Sequence, residues 1–291
     1  MNAASAIDKY LAACNTYQDA ADSFDEPDYR KNLQSETQKL QSCFQELLQF
    51  AESNNPALWH TIGTGFNTGR GVKRDRPEAM RWFQRAAEAG HAPAMVNLGL
   101  CLMHPEPALD AAGAIHWFRK AAEKGYTGGM VLLGFAYREG DGVPRDDKEA
   151  VQWFIKAVEA GDSHSMIHVG RMFARQLSAP VEAVSWFLRA AEAGHSESFL
   201  ELARLYENRE LPVHDPVESH KWFRVAVEYT EGHSTSALFA IARQYMQGVG
   251  APCDIENAKW WLNRILLVAP PDSPSRKEAT RMIKKLDGQF L

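Results

Sequence analysis

His164 and His168 stand four residues apart, a spacing that puts two imidazoles on one face of a helix and that two-histidine metal sites use. A metal centre needs further ligands. The chain has no H-E-x-x-H pattern and shows no third donor beside the pair, so no metal ion is expected and the two rings are read as polar groups on a helix wall. The run Gly63-Thr-Gly-Phe-Asn-Thr-Gly-Arg-Gly71 has the glycine density of a phosphate loop, but no G-K-[ST] follows it. A G-x-S-x-G elbow is absent and no Cys–His pair is recognisable, so no catalytic residue and no cofactor are assigned. Arginines are more suggestive: Arg171, Arg204 and Arg243 recur 33 and 39 residues apart, with Arg138 and Arg175 nearby. Guanidinium groups suit bidentate capture of carboxylates.

What positions these residues is a repeat. Aligned on Trp-Phe, the chain reads EAMRWFQRAAEAGH from 78, GAIHWFRKAAEKGY from 113, EAVQWFIKAVEAGD from 149, EAVSWFLRAAEAGH from 182 and ESHKWFRVAVEYTEGH from 218, with ENAKWWLNRI from 256 as a sixth copy. The anchors Trp82, Trp117, Trp153, Trp186, Trp222 and Trp261 are 35, 36, 33, 36 and 39 residues apart, which marks a stacked repeat array. A small residue recurs 16 to 19 residues before each tryptophan, at Gly63, Gly99, Gly134, Gly170, Ala203 and Ala242. Each unit is therefore predicted to be two helices. Helix A carries the small residue, which permits close packing, and helix B carries a stripe such as Ala79, Trp82, Phe83, Ala86 and Ala87. Asp75/Glu78, Asp146/Glu149 and Asp215/Glu218 have the spacing of a capping box at the start of helix B. Gly90, Gly125, Gly161 and Gly194 supply the left-handed residue after its end.

These residues resemble the Sel-one-like repeat, a relative of the tetratricopeptide repeat, and Met130 to Asp162 matches its pattern almost throughout. The resemblance covers roughly 56–270. Its loops depart at His104-Pro105-Glu106-Pro107, in the shortened repeat 4 and at Asn208 to Pro212. It implies an all-α, right-handed superhelical α/α solenoid that serves as an adaptor or scaffold. Expected boundaries are a helical hairpin cap over 1–55, repeats over 56–91, 92–126, 127–162, 163–195, 196–233 and 234–270, and a capping helix over 271–291. The cap helices are expected over 4–23 and 28–52, broken at Asp25-Glu26-Pro27-Asp28. Disulfides that tie the helices in some family members do not fit the scattered Cys14, Cys43, Cys101 and Cys253.

Composition limits the partner. The chain has 32 basic and 37 acidic side chains, a net charge of -5. Residues 1–55 alone hold nine acids and four bases, and the rest balances at 28 each. No basic excess suited to nucleic acid exists, and no apolar run approaches a membrane span. Leu11-Ala12-Ala13-Cys14 mimics a lipoprotein cleavage box, but Asp8 and Lys9 interrupt the apolar run it requires, so a cytoplasmic location is expected.

Function is then expected in the groove lined by the A helices. Directly after the small residue stand Thr64, Leu100, Phe135, Arg171, Arg204 and Arg243. The first three repeats contribute His60, Asn67, Val96, Asn97 and Val131 as well, so the wall should be mixed early and basic late. The candidate site is Asn97, Arg138, His164, His168, Arg171, Arg175, Arg204 and Arg243. It would bind a protein or peptide partner with acidic groups, as a scaffold or as an inhibitor such as an immunity protein. Against this, Glu201 and Glu207 are close enough in sequence to neutralise the arginines internally. The other class, a hydrolase of cell-wall or β-lactam compounds, needs a nucleophile and base that the sequence does not display.

Overall fold

The computed structural model describes residues 2–22, 29–103 and 110–288. The expected break at 25–28 and the loop at 104–107 lie outside these. Among the described residues the chain forms fifteen α-helices and no strand, in two compact units, Met1–Ala160 and Gly161–Leu291. In the first unit, α1 (Ala3–Asp22) and α2 (Tyr29–Gln49) form the N-terminal pair. Three helix pairs follow: α3 (Pro56–Thr68) with α4 (Arg76–Glu88), α5 (Ala92–Leu102) with α6 (Ala111–Glu123), and α7 (Thr127–Glu139) with α8 (Asp147–Glu159). The second unit holds α9 (Ser165–Arg175) with α10 (Pro180–Glu192), α11 (Glu197–Glu207) with α12 (Pro216–Tyr229), α13 (Thr235–Gln247) with α14 (Ile255–Val268), and α15 (Pro274–Gly288).

The first four repeat pairs share one contact. A Cβ added to Gly99 would lie 2.4 Å from the Phe118 ring, and at Gly134 and Gly170 it would lie 2.6 Å from Phe154 and Phe187. The glycine in helix A thus makes the seat for the phenylalanine of the Trp-Phe pair in helix B. Phe83, Phe118, Phe154 and Phe187 are buried in this way, and each contributes about 2–3 kcal/mol by leaving water. The anchor tryptophans Trp82, Trp117, Trp153, Trp186 and Trp222 are only half-buried, and a cation one turn on lies over several of them. Lys120 is 4.7 Å from the Trp117 ring, Lys156 4.0 Å from Trp153 and Arg189 4.1 Å from Trp186. Each contact adds about 0.5–1 kcal/mol at such a site.

The aspartate caps form as expected, but the capping box does not. Asp75 Oδ1 accepts from Glu78 N at 3.0 Å, and Asp146 Oδ1 accepts from Lys148 N and Glu149 N at 3.0 Å each. The reciprocal bond from glutamate to the cap N–H is replaced, because that N–H is already engaged. Asp75 N donates to Phe66 O, Asp146 N to Tyr137 O, Asp215 N to Tyr206 O and Asp254 N to Tyr245 O, at 2.8–3.0 Å. Even in repeat 4, where Ala179 offers no side-chain cap, its N–H donates to Phe173 O at 2.8 Å. Helix B is therefore tied at its start to the third residue after the small position of helix A. The glutamates are left to pair one turn on, Glu78 with Arg81 and Glu218 with Lys221.

The ends cover apolar faces. Leu40, Phe44 and Leu47 of α2 pack with Leu58 and Ile62 of α3, and a Cβ on Gly65 would meet Phe44 at 2.2 Å. At the other end Ala279 and Leu286 of α15 are buried against α13 and α14, with Met282 and Ile283 alongside. All four cysteines are free; Cys14, Cys43 and Cys101 are buried and Cys253 is exposed. No described helix is long and apolar enough to cross a membrane.

Candidate functional site

The expected site residues divide between the two units. Asn97 and Arg138 belong to the first. Asn97 Nδ2 donates to His60 Nε2 at 2.8 Å, and the His60 ring stacks on His91 at 4.9 Å. Accepting at Nε2 makes His60 neutral, with its proton on Nδ1. Burial, reinforced by His91, pushes its pKa down to about 4, and burial lowers that of His91 too. Arg138 lies over the Phe135 ring at 4.8 Å and pairs with Glu139 at 2.6 Å. Val96, expected on the wall, belongs to the core instead, at 9% exposure. The first unit's A helices thus carry an exposed Leu100, the paired Asn97 and His60, and Asn67, whose buried Oδ1 has no hydrogen-bond partner among the described residues.

The second unit holds the remaining six, on or next to α9, α11 and α13. His164, His168, Arg171 and Arg175 follow one another at four, three and four residues, which makes one stripe along α9. His164 itself is the residue before α9 and not within it. A third histidine joins the pair: His195 packs edge-on against His164 at 5.4 Å, as His168 does at 5.5 Å. His195 Nε2 lies 2.9 Å from Ser163 Oγ. The signal for it was its place after Gly194, the same place that His91 holds after Gly90 when it stacks on His60. Among the described residues no group of three or more His, Cys, Asp or Glu is placed to hold a metal ion.

On α11 the equivalent stripe is Glu197, Glu201, Arg204 and Asn208. Glu201, whose side chain is 12% exposed, lies between two guanidiniums. It accepts from Arg171 Nε at 2.8 Å and from Arg175 Nη2 at 3.3 Å. Arg171 also reaches Glu197 at 3.4 Å, and Arg243 of α13 lies 3.8 Å from Glu207. The internal pairing that the sequence allowed is therefore present for three of the arginines, and it runs between repeats. Arg204 differs: it is exposed and, among the described residues, its guanidinium has no hydrogen bond or ion pair. Four arginines against Glu197, Glu201 and Glu207 leave this face with one uncompensated positive charge.

A family model described as the Sel1 repeat matches residues 63–91, 92–126, 128–162, 163–195, 200–228 and 235–265. Among solved structures, a Sel1 repeat protein from Oxalobacter formigenes is 25% identical, with a TM-score of 0.61 over 91% of this chain and 98% of its own. A protective antigen present in uropathogenic Escherichia coli strains, displaying an SLR fold, is 21% identical with a TM-score of 0.50, over 88% and 68% of the two chains. The C-terminal part of a TPR repeat-containing protein from Cytophaga hutchinsonii is 14% identical with a TM-score of 0.58, over 92% and 98%. The last two are similar in fold alone. No curated protein matches the chain.

Proposed function

The chain belongs to the Sel1 repeat family, and from that premise we propose that it is a non-catalytic interaction protein whose second unit binds an acidic segment of a protein partner along α9, α11 and α13. The observation that carries this reading is Arg204. It occupies the repeat position shared with Arg171 and Arg243, it is exposed, and no described acid neutralises it. A guanidinium left open between two that are paired is an anchor for a carboxylate from outside. Beside it the Arg171–Glu197 and Arg243–Glu207 pairs are exposed or partly exposed, contribute only about 0–1 kcal/mol each and so exchange partners at little cost, whereas the buried Glu201 holds Arg171 and Arg175 in place. His164 and His168 extend the stripe with polar aromatic surface. The cytoplasm, where acidic protein segments are abundant, is the compartment this reading favours.

Leu100 holds the position of Arg204 in repeat 2 and is 46% exposed, so it serves as the internal control. A photo-crosslinking residue at position 204 of the full chain, expressed in its native host, should capture a protein through an acidic segment, and one at position 100 should not. Against the captured protein, Arg204→Glu should weaken binding at least tenfold, about 1.4 kcal/mol, and Leu100→Glu should leave it unchanged. Equal capture at both positions, or equal loss from both substitutions, overturns the assignment.

A further inference from the structure

Repeat 5 departs from repeats 1, 3 and 6 at one residue. Counted from the small residue of helix A, Gly69, Gly140 and Gly248 end their helices at the sixth position, with φ of 74, 83 and 66°. Arg209 holds that position in repeat 5. The left-handed conformation would strain an arginine, and the loop avoids it. α11 ends instead on Asn208 in an extended conformation, φ -74° and ψ 110°, whose Oδ1 accepts from Glu210 N at 3.0 Å. Arg209 is left exposed and, among the described residues, without a hydrogen bond or ion pair.

Arg209 borders a cavity of about 520 Å³ between the end of α11, the first turn of α12 and the second half of α13. Its floor is polar and fixed. Gln244, 3% exposed, donates from Nε2 to Ser219 Oγ at 3.1 Å, and its Oε1 accepts from His220 Nδ1 at 2.9 Å. The rim carries Arg209, Arg243, Glu207 and Gln247.

We propose that this cavity binds a carboxylate carried on a peptide, seated between the guanidiniums of Arg209 and Arg243. The proposal rests on the reading above that the partner is an acidic protein, and it adds a second, separate anchor. Charge supports it: two guanidiniums and Glu207 leave one positive charge, which a single carboxylate neutralises and a phosphate dianion would overcompensate. Glu207 is no obstacle. Its ion pair with Arg243 spans 3.8 Å between side chains 39% and 55% exposed, so setting it aside costs about 0–1 kcal/mol. The volume lies in the range of ligand sites, ~300–1,000 Å³, and the exposed amide of Gln247 offers a peptide backbone one donor and one acceptor.

The test follows the arginine Nε–H and glutamine side-chain signals of the isotope-labelled full chain by NMR. The probes are tetra-alanine with a free carboxyl terminus, the same peptide amidated, acetyl-Ala-Glu-Ala-Ala amide, and inorganic phosphate. Saturable shifts at Arg209, Arg243 and Gln247 are expected with a carboxylate-bearing peptide and not with amidated tetra-alanine. Whether the free terminus or the glutamyl peptide binds more tightly identifies the source of the carboxylate. Arg209→Gly restores the residue of repeats 1, 3 and 6 and should lower affinity at least tenfold with the melting temperature retained; Arg243→Gln should do the same. No saturable shift with either carboxylate, tighter binding of phosphate, or undiminished affinity in both variants overturns the proposal. Crosslinking at position 204 without these shifts would sink the cavity and leave the α11 anchor standing; shifts without crosslinking would do the reverse.

Discussion

The histidines show how far single residues speak for themselves. The four-residue spacing of His164 and His168 was visible at once, and the structure does bring their rings together. What local spacing could not show was the partner contributed from the far end of the same repeat, His195 for one pair and His91 for His60. Such contacts join residues about thirty apart, and the return of the chain after helix B to the start of helix A creates them. His60 gives the sharpest consequence. It is neutral in the folded chain with a pKa pushed to about 4, against an ordinary 6.5 for the unfolded chain. Between those values the unfolded state takes up a proton that the folded state refuses, so stability is complete above pH 6.5 and is lost as the pH falls toward 4. Allowing for partial solvent contact, the loss should be about 2 kcal/mol. Urea unfolding at pH 7 and pH 4.5 should show this difference shrinking in His60→Gln; an unchanged difference would mean that His60 is not the titrating group.

At the scale of the element, helix starts were more legible than helix ties. Asp75, Asp146 and Asp215 announce themselves as caps because the residue type and the following glutamate are local signals. The bond that anchors each cap to helix A is not local in that sense. It joins a backbone N–H to the carbonyl of Phe66, Tyr137 or Tyr206 across a loop, uses no particular side chain, and therefore leaves no mark in the residue types. It also explains why the glutamate half of the box is unused. Repeat 4 separates the two contributions, since Ala179 keeps the backbone tie and lacks the side-chain cap. Asp146→Ala should therefore cost about 1 kcal/mol, and Ala179→Asp should gain a similar amount, each read from the midpoint of chemical denaturation. A much larger loss at Asp146 would show that the cap side chain also holds the tie.

At the scale of the whole molecule, the repeat was legible because glycine, Trp-Phe and alanine each answer a steric demand that recurs in every copy. The binding face was legible only in part. Position relative to the small residue brought Arg171, Arg204 and Arg243 onto one face, but the same reading gave them equal weight. The structure ranks them: Glu201 and Glu207 on α11 engage two, and Arg204 stands open. Residue types alone could not rank them, because which acid reaches which guanidinium depends on the offset between neighbouring A helices. Net charge was still less informative, since a chain of -5 carries a face with one positive charge to spare. Amide hydrogen exchange of the full chain with and without its captured partner tests the central claim most directly. The account requires slowed exchange in α9, α11 and α13, with α3 and α5 unchanged; protection confined to α3 and α5, or to the B helices α10, α12 and α14, would contradict it.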